Sequence, residues 1–197
     1  MSVYETLDRL MAEQKGIIRT ADVVSLGISK PYFYEYAKDR KLEKVSQGIY
    51  VSTNAWVDPL YLLSLRSQQI IFSHETALYL HGLTTREPNE FIVTVKTGYN
   101  PSRLKKDGVK VYTVKEELYE LGLITMLTPF GNDVKVYNKE RTVCDILRSR
   151  TNVEIQSFQE AIKGYLQGNQ KNLRLLRKYA KVLKVENLLR QYTEVLL

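Results

Sequence analysis

The sequence has only one cysteine, one tryptophan and five prolines among its 197 residues. The single cysteine, Cys144, cannot form a disulfide within the chain, and such scarcity is typical of proteins from a reducing cytoplasm. No apolar run approaches the roughly 20 residues that a membrane span needs. The N-terminal stretch MSVYETLDRL also lacks the apolar core of a secretion signal. We therefore expect a cytoplasmic protein without a membrane partner.

The sequence also lacks the signatures of the common enzyme classes. It contains no Walker loop, no glycine-rich dinucleotide turn and no GxSxG elbow. Its two histidines, His74 and His81, do not have the i, i+4 spacing usual for a helical metal pair, and no third ligand is evident. Glu90 and Lys96 faintly resemble a nuclease acid–lysine pair, but the second carboxylate that would bind Mg²⁺ is missing. We predict no catalytic residue, no metal and no cofactor.

The most informative stretch of the sequence is residues 16–51. Thr20 is predicted to cap a short helix through its hydroxyl group. Gly27 then follows at a tight turn that requires positive φ. Ser29 is predicted to cap a second helix, which runs from Lys30 to about Arg40. This order of caps and turn is typical of a helix-turn-helix, whose second helix is the recognition helix.

The segment after the second helix, LEKVSQGIYV, has two β-prone runs around a glycine-containing turn, which predicts a small hairpin. Such a hairpin is the wing of a winged helix-turn-helix. A three-helix packing unit without DNA contact is the alternative. At 100° per residue, Phe33, Tyr36 and Ala37 share one helix face and are expected to be buried. The predicted DNA contacts are Lys30, Tyr34, Glu35 and Lys38 in the major groove, Ser29 against phosphate, Arg40 and Lys41 as phosphate clamps, and Lys44, Ser46 and Gln47 on the wing.

We predict an α+β fold with an N-terminal winged helix-turn-helix, residues 1–54, followed by an effector domain, residues 55–197. An S-x-x-E capping box begins the first helix. The effector domain is predicted as a mixed α/β core, residues 55–150, with a helical basic C-terminal tail, residues 151–197. Its predicted strands are 91–96, 109–114, 122–130 and 133–137, and its predicted helices are 59–69, 74–81, 139–150, 154–167, 171–183 and 185–197.

Positive charge is concentrated near the C-terminus. The net charge of +7 favours a polyanionic partner. Residues 1–50 carry 8 basic against 7 acidic side chains, residues 51–134 carry 8 against 9, and residues 135–197 carry 13 against 6. The excess therefore lies outside the predicted helix-turn-helix. One run of cations in the tail forms a second basic face: Lys171, Arg174, Arg177, Lys178, Lys181 and Lys184. Two interpretations of this face stay open, a contact with a polyanion and a merely solvated surface.

Three segments resemble the AbiEi family, the antitoxins of type IV abortive-infection toxin–antitoxin pairs of bacteria and phage-defence loci. They are ADVVSLGISKPYFYEYAKDRKLEKVSQGIYV, SHETALYLHGL and VYNKERTVCDILRSR. The resemblance implies a DNA-binding domain that represses its own operon. It also implies a second domain that counteracts a nucleotidyltransferase-like toxin of the AbiEii family without a stable complex. The family-like residues of the effector domain are His74, Glu75, His81, Glu140, Arg141, Thr142 and Asp145.

The operator partner is expected to be double-stranded DNA with inverted repeats, because a single recognition helix reads only a half-site. Two other functions stay open. One is a ligand-responsive winged-helix regulator without an antitoxin role, and the other is a nucleic-acid enzyme with an unrecognised active site. The family-like residues also have a structural interpretation, since Arg141 and Asp145 are i, i+4 neighbours that can pair on a helix. Asp145 or Glu140 would then anchor the preceding hairpin through hydrogen bonds.

Overall fold

The computed structural model describes residues 2–196, with side chains described as far as residue 194. The chain divides into two compact units, Met1–Arg66 and Ser67–Leu197. Each unit contains helices and one β-sheet, so the predicted mixture of helices and strands is confirmed. The boundary predicted at residue 54 differs, because the first unit continues through a further helix to Arg66.

The first unit combines four helices with a three-stranded antiparallel sheet of order β1-β3-β2. The predicted capping box is present, because the backbone N–H of Ser2 donates to Glu5 Oε2 at 2.8 Å and that of Glu5 donates to Ser2 Oγ at 3.2 Å. The elements are α1 (Val3–Glu13), β1 (Ile17–Arg19), α2 (Thr20–Ser25), α3 (Lys30–Asp39), β2 (Glu43–Ser46), β3 (Ile49–Val51) and α4 (Pro59–Arg66).

The sheet of the first unit separates two apolar layers, since alternate residues of a strand point to opposite faces. Ile18 lies with the buried residues of α1, α2 and α3. Its neighbour Ile17 lies in the other layer, which contains Ile49 and Val51 and is covered by apolar side chains of α4. Because β1 has only three residues, its pairing with β3 was not predicted. A fragment that ends at residue 54 would therefore expose the layer that α4 covers.

The predicted capping role of Thr20 is wrong. The helix α2 begins at Thr20 itself, and the N-cap residue is Arg19, whose guanidinium donates to both carboxylate oxygens of Asp22 at 2.6 and 2.8 Å. The strand β1 runs directly into α2, and the backbone N–H of Thr20 donates to the carbonyl of Gly48 in the hairpin turn at 2.8 Å. The Thr20 side chain is buried as a result, and Oγ1 has no hydrogen-bond partner among the described residues.

The second unit contains a five-stranded mixed sheet of order β6-β5-β4-β8-β7, in which β4 pairs with β8 and β5 pairs with β6 in parallel. The four predicted strands are confirmed, whereas β4, α6 and α7 are too short to have been predicted. The elements are β4 (Ile71–Phe72), α5 (His74–Leu80), β5 (Ile92–Lys96), α6 (Ser102–Lys106), β6 (Lys110–Val114), α7 (Glu116–Tyr119), β7 (Leu123–Leu127), β8 (Asp133–Tyr137), α8 (Lys139–Arg148), α9 (Ile155–Gln167), α10 (Leu173–Val182) and α11 (Glu186–Leu196).

Helix α8 is the central helix of the second unit. The side chain of Asn138 caps it, as predicted, by accepting from the backbone N–H of Arg141 at 2.9 Å. Every residue from Glu140 to Leu147 is buried, because α8 packs against α5 and the three C-terminal helices α9, α10 and α11. Within residues 2–196, no helix has the length and apolar character needed to cross a membrane.

Candidate nucleic-acid interface

Helix α3 has one buried and one exposed face, as its sequence predicts. Phe33, Tyr36 and Ala37 are at most 5% exposed and lie in the core of the first unit. Ser29 occupies the N-cap position, but its side chain makes no capping hydrogen bond. The exposed Ser29 therefore stands at a helix end whose first backbone N–H groups point outward, an arrangement that favours an anion.

The exposed face of α3 carries Lys30, Tyr34, Glu35 and Lys38. Lys30 and Lys38 stand at opposite ends of the helix, separated by about 12 Å at the α-helical rise. Between them, Tyr34 and Glu35 present a ring and a carboxylate on the same exposed face. The B-DNA major groove is about 12 Å wide and admits an α-helix.

A connection between α2 and α3 sets the angle of the helix pair. Gly27 has φ +77°, which confirms the predicted turn. Ile28 is half-buried and packs against the core, as its apolar side chain predicts. At the other end of α3, Lys41 also has a positive φ of 52°. The backbone N–H of Leu42 donates to the carbonyl of Ala37 at 2.8 Å and closes the helix there.

Two acidic side chains connect α3 to α1. Asp8 on α1 accepts from the hydroxyl of Tyr36 at 2.9 Å and from Nε of Arg40 at 3.0 Å. At the exposed end of the same helix pair, the hydroxyl of Tyr4 donates to Asp39 at 2.6 Å. Burial and the bond to Asp8 raise the pKa of Tyr36 to about 12, and the bond to Asp39 raises the pKa of Tyr4 to about 12. Both tyrosines therefore stay neutral donors at physiological pH.

Arg40 thus has a structural role that its position in the sequence did not predict. Its guanidinium pairs with Asp8 and lies 5.8 Å from the ring centre of Tyr36. A phosphate contact at Arg40 stays a prediction, and it would require the guanidinium to share or exchange its contact with Asp8. The sequence feature that could have predicted this pairing lies in α1, where Asp8 follows the buried Leu7 at the edge of the apolar helix face.

The hairpin is joined to α3 by aromatic contacts. The ring of Tyr50 on β3 lies 5.1 Å from that of Phe33 and 6.4 Å from that of Tyr34. The two hairpin strands meet at the turn formed by Gln47 and Gly48, with an irregularity in register after Lys44. Three predicted contact residues lie on this hairpin: Lys44 and Gln47 are exposed, and Ser46 is half-buried. The rings hold α3 and the hairpin together, so the two form one surface.

The second basic face lies on α10 in the other unit. Arg174, Arg177, Lys178 and Lys181 are exposed and fall within an arc of about 100°. The opposite stripe packs into the core, as predicted, through Leu176, Tyr179, Ala180 and Leu183, with Leu173 half-buried.

The two terminal members of this predicted basic face differ from the rest. Lys171 precedes α10, is half-buried, and donates its ammonium group to the carbonyl of Leu166. Lys184 follows α10 with φ +60°. The face that α10 itself presents therefore consists of four cations, with no acidic side chain anywhere along the helix.

The family-like residues of α8 hold the fold together. Arg141 is fully buried, and its Nε donates to both oxygens of Asp145 at 3.0 Å. Its Nη1 donates to the carbonyls of Leu118 and Leu121, at 2.7 and 2.9 Å. The guanidinium also lies 4.3 Å from the ring centre of Tyr137. The predicted i, i+4 pair is confirmed.

The prediction named the wrong side chains as the anchor of the segment that precedes α8. Asp145 and Glu140 were predicted to hold it, but the hydrogen bonds come from Arg141, because an ionised carboxylate only accepts hydrogen bonds and cannot donate to a backbone carbonyl. Glu140 instead accepts from the hydroxyl of Tyr165 at 2.8 Å. Thr142 donates to the carbonyl of Tyr137 at 3.2 Å.

The two histidines also serve the packing of the second unit. His81 Nε2 lies 2.7 Å from the carbonyl of Tyr137 and so donates to it. His74 is stacked on Tyr112 with ring centres 3.8 Å apart, and its two ring nitrogens contact the hydroxyls of Ser73 and Ser149. Burial lowers the pKa of His74 to about 3, so its imidazole is neutral.

Groups suited to catalysis are sparse in the described part of the chain. No set of three or more His, Cys, Asp or Glu side chains there is arranged to hold a metal ion. Burial raises the pKa of Cys144 to about 12, which keeps its thiol protonated and unreactive. Exposed positive charge lies on α3, the hairpin and α10, and also on other elements such as α6.

Comparison with known proteins gives a family match within the first unit. Residues 5–53 match the family described as "Transcriptional regulator, AbiEi antitoxin". The match covers α1 to β3 and supports a role as an antitoxin and DNA-binding regulator. The chain is also similar to the RV2827C protein from Mycobacterium tuberculosis, with TM-score 0.52, 9% identity, and coverage of 100% of this chain and 81% of that one. This likeness concerns the fold alone. No match was found among curated proteins.

Proposed function

We propose that this protein, whose residues 5–53 match the AbiEi antitoxin family of transcriptional regulators, represses its own operon and counteracts a nucleotidyltransferase-like toxin. The observation that carries the proposal is the exposed face of α3 beside the hairpin, within the segment that the family match covers. In this proposal α2 and α3 act as a helix-turn-helix and the β2–β3 hairpin is the wing. The finer parts, abortive infection and phage defence, come from the family resemblance.

The contacts follow from the chemistry of the exposed side chains. Lys30 and Lys38 contact phosphates or guanine at the two edges of the major groove, and the N-terminus of α3 with Ser29 contacts a phosphate. Glu35 accepts a hydrogen bond from a cytosine amino group, and the ring of Tyr34 contacts a thymine methyl. Lys41 and the wing reach the backbone. Because one α3 reads a half-site, two copies bind the inverted repeats of an operator.

The weak charge of the first unit requires a second contact with DNA. Residues 1–50 have a net charge of only +1, from 8 basic and 7 acidic side chains. Electrostatic contacts supply most of the non-specific affinity for DNA, so this unit alone is expected to bind weakly. The four exposed cations of α10 supply the missing contacts if the bound DNA reaches the second unit.

This role for α10 is tested by replacing Arg174, Arg177, Lys178 and Lys181 with Gln. Glutamine keeps helix propensity nearly constant, and the buried stripe is untouched, so folding is retained. Each lost phosphate contact is expected to flatten the log–log salt dependence of promoter binding by about 0.9. Sequence preference should change little, because phosphate contacts carry no base information. The salt slope is measured by fluorescence anisotropy. An unaltered slope would show that these four side chains are only a solvated surface.

The antitoxin function is tested with the full chain in which Lys30 and Lys38 are both replaced by Glu. The variant is expressed from an unrelated promoter together with a nucleotidyltransferase-like toxin encoded beside this protein. We expect growth to be rescued as well as by the parent chain, because toxin neutralisation is assigned to the second unit. Loss of rescue by a folded variant would show that the protein acts only by repression. Absence of any such toxin gene would contradict the antitoxin role and favour a regulator without it.

A further inference from the structure

The second unit contains a cleft whose lining includes none of the predicted DNA contacts. It has a volume of about 170 Å³ and lies where α5, the loop before β5, the start of β6 and the start of α9 meet. An engineered protein cavity of about 150 Å³ holds one benzene molecule. The cleft therefore accommodates a ligand of roughly six to eight non-hydrogen atoms. Its charged lining residues are Glu75, Arg86, Glu87, Glu90, Lys110 and Glu154.

The two cations that line the cleft are already engaged. Arg86 forms an ion pair with Glu154. Lys110 donates to the carbonyl of Asn152 at 3.5 Å and lies 5.8 Å from the ring centre of Tyr112. In contrast, Glu75 and Glu90 form no ion pair with any residue that the structure describes. The unengaged charge of the cleft is thus negative, although the whole chain has a net charge of +7.

Glu75 is the group in this cleft whose bonding is incomplete. Its carboxylate accepts a hydrogen bond from its own backbone N–H. Its Oε2 atom is buried and has no partner among the described residues. A buried carboxylate oxygen without a donor is unfavourable, because it has lost its water without gaining a hydrogen bond. A ligand with an N–H⁺ group is the chemistry that satisfies it.

The backbone around Glu75 is held rigidly. The preceding residue, His74, has φ +51°, which is uncommon for residues other than glycine, although histidine adopts it more often than most. Its ring is stacked on Tyr112 and bonded to Ser73 and Ser149, so packing holds this conformation in place. The Thr76 hydroxyl accepts from the backbone N–H of Ile92 at 2.8 Å. Both neighbours of Glu75 are therefore fixed, and the carboxylate is preorganised at the cleft.

We propose that this cleft binds a small organic cation, a primary ammonium or a guanidinium group, whose N–H donors contact Glu75 Oε2 and whose charge is balanced by Glu90. A guanidinium or ammonium group donates several hydrogen bonds and accepts none, which matches the carboxylates of Glu75, Glu87 and Glu90, none of which has an ion pair among the described residues. A divalent metal ion fits less well, since no group of three suitable side chains lies among the described residues. The site would make the second unit responsive to a metabolite, independently of the DNA-binding face.

The electrostatics of the cleft predict how such a ligand acts. Burial and the charge of Glu90 raise the pKa of Glu75, while Lys110 and the bond from its own N–H oppose the rise. A raised pKa in the folded state means that ionised Glu75 destabilises the fold above that pKa, and that the penalty disappears as the carboxylate is protonated at lower pH. A bound cation lowers this pKa again. Binding should therefore stabilise the protein and, at a pH near the pKa of Glu75, release protons.

The test is a titration of the full chain with methylguanidinium and with butylammonium, followed by calorimetry and by the thermal midpoint. We expect millimolar or tighter binding and a raised midpoint with either cation. Methylurea, which has a similar shape but no charge, should give neither effect. At a pH near the pKa of Glu75, the heat of binding measured in buffers of different ionisation enthalpy should report the released protons.

Two substitutions separate a specific site from a general salt effect. Glu75→Gln should weaken cation binding at least tenfold, abolish proton release and raise the thermal midpoint at neutral pH, because it removes an unfavourable buried charge. Glu117→Gln is the matched control, since Glu117 is exposed on α7 and outside the cleft, and it should bind like the parent. Equal binding by Glu75→Gln and the parent would overturn the proposal. Failure of both cations to bind the parent would overturn it as well, whatever the outcome for promoter DNA.

Discussion

Replacing Arg141 with Met is expected to lower the free energy of unfolding of the second unit by about 3–5 kcal/mol, the usual effect of removing one partner of a buried ion pair. Asp145 is 4% exposed and would remain as a charge without a partner. The carbonyls of Leu118 and Leu121 would also lose their donor. Urea unfolding followed by circular dichroism measures the loss.

The environment of Arg141 explains why so large an effect is expected. A methyl group at Gly122 would lie 2.6 Å from Cβ of Arg141, and Gly122 itself has φ +80°. Its carbonyl accepts from the backbone N–H of Asn138 at 2.7 Å. The segment before β7 thus lies directly on the first turn of α8, with no room for another side chain or a replacement donor.

The pH dependence distinguishes the loss of charge pairing from the loss of packing. Burial raises the pKa of Asp145 to about 6 even though Arg141 opposes the rise. Without Arg141 that pKa rises further, so the penalty of the variant is fully present above the raised pKa and shrinks as Asp145 is protonated and the pH falls towards about 6. Adding Asp145→Asn should recover part of the loss. Arg190→Met, which removes an exposed i, i+4 partner of Glu194, should change stability little. An equal loss at all pH values would contradict the electrostatic explanation.

Reversing the charge of Lys30 and Lys38 together is expected to weaken binding to the protein's own promoter on the order of a hundredfold. Each reversal alone should weaken binding by more than tenfold, or about 1.4 kcal/mol. The two side chains are about 12 Å apart along α3, and effects at that separation are nearly additive. Titration of a labelled promoter fragment at fixed salt measures the change.

The control for this experiment is the double variant in which Lys106 and Lys163 are replaced by Glu. Both are exposed in the second unit, outside α10, and their reversal changes the net charge by the same amount. Its affinity should fall far less than that of the α3 variant. The thermal midpoints of all variants should match the parent, because none of the four side chains is buried. Unchanged affinity of the α3 variant would rule out α3 as the recognition helix.

Short-range patterns in the sequence were sufficient to predict most helices and strands. The capping box at Ser2, the turn at Gly27 and the cap at Asn138 each depend on residues within three or four positions along the chain. Their formation therefore does not depend on distant parts of the sequence. The burial of Phe33, Tyr36 and Ala37 follows from helical periodicity in the same way. The shared exposed side of Arg174, Arg177, Lys178 and Lys181, four of the six cations of the predicted second basic face, also followed from periodicity because they lie on a single helix.

Contacts between distant residues were decided only by the tertiary structure. β1 has three residues and becomes a strand because β3 is available to pair with it, and that pairing turns Thr20 inward instead of letting it cap α2. The engagement of Arg40 by Asp8, and of two backbone carbonyls by Arg141, joins residues at least 20 positions apart. The cleft around Glu75 is lined by side chains from several elements. No local sequence pattern predicts these contacts. Periodicity shows only which face of its own helix or strand a side chain occupies. Its burial and its partners depend on which other elements pack against that face.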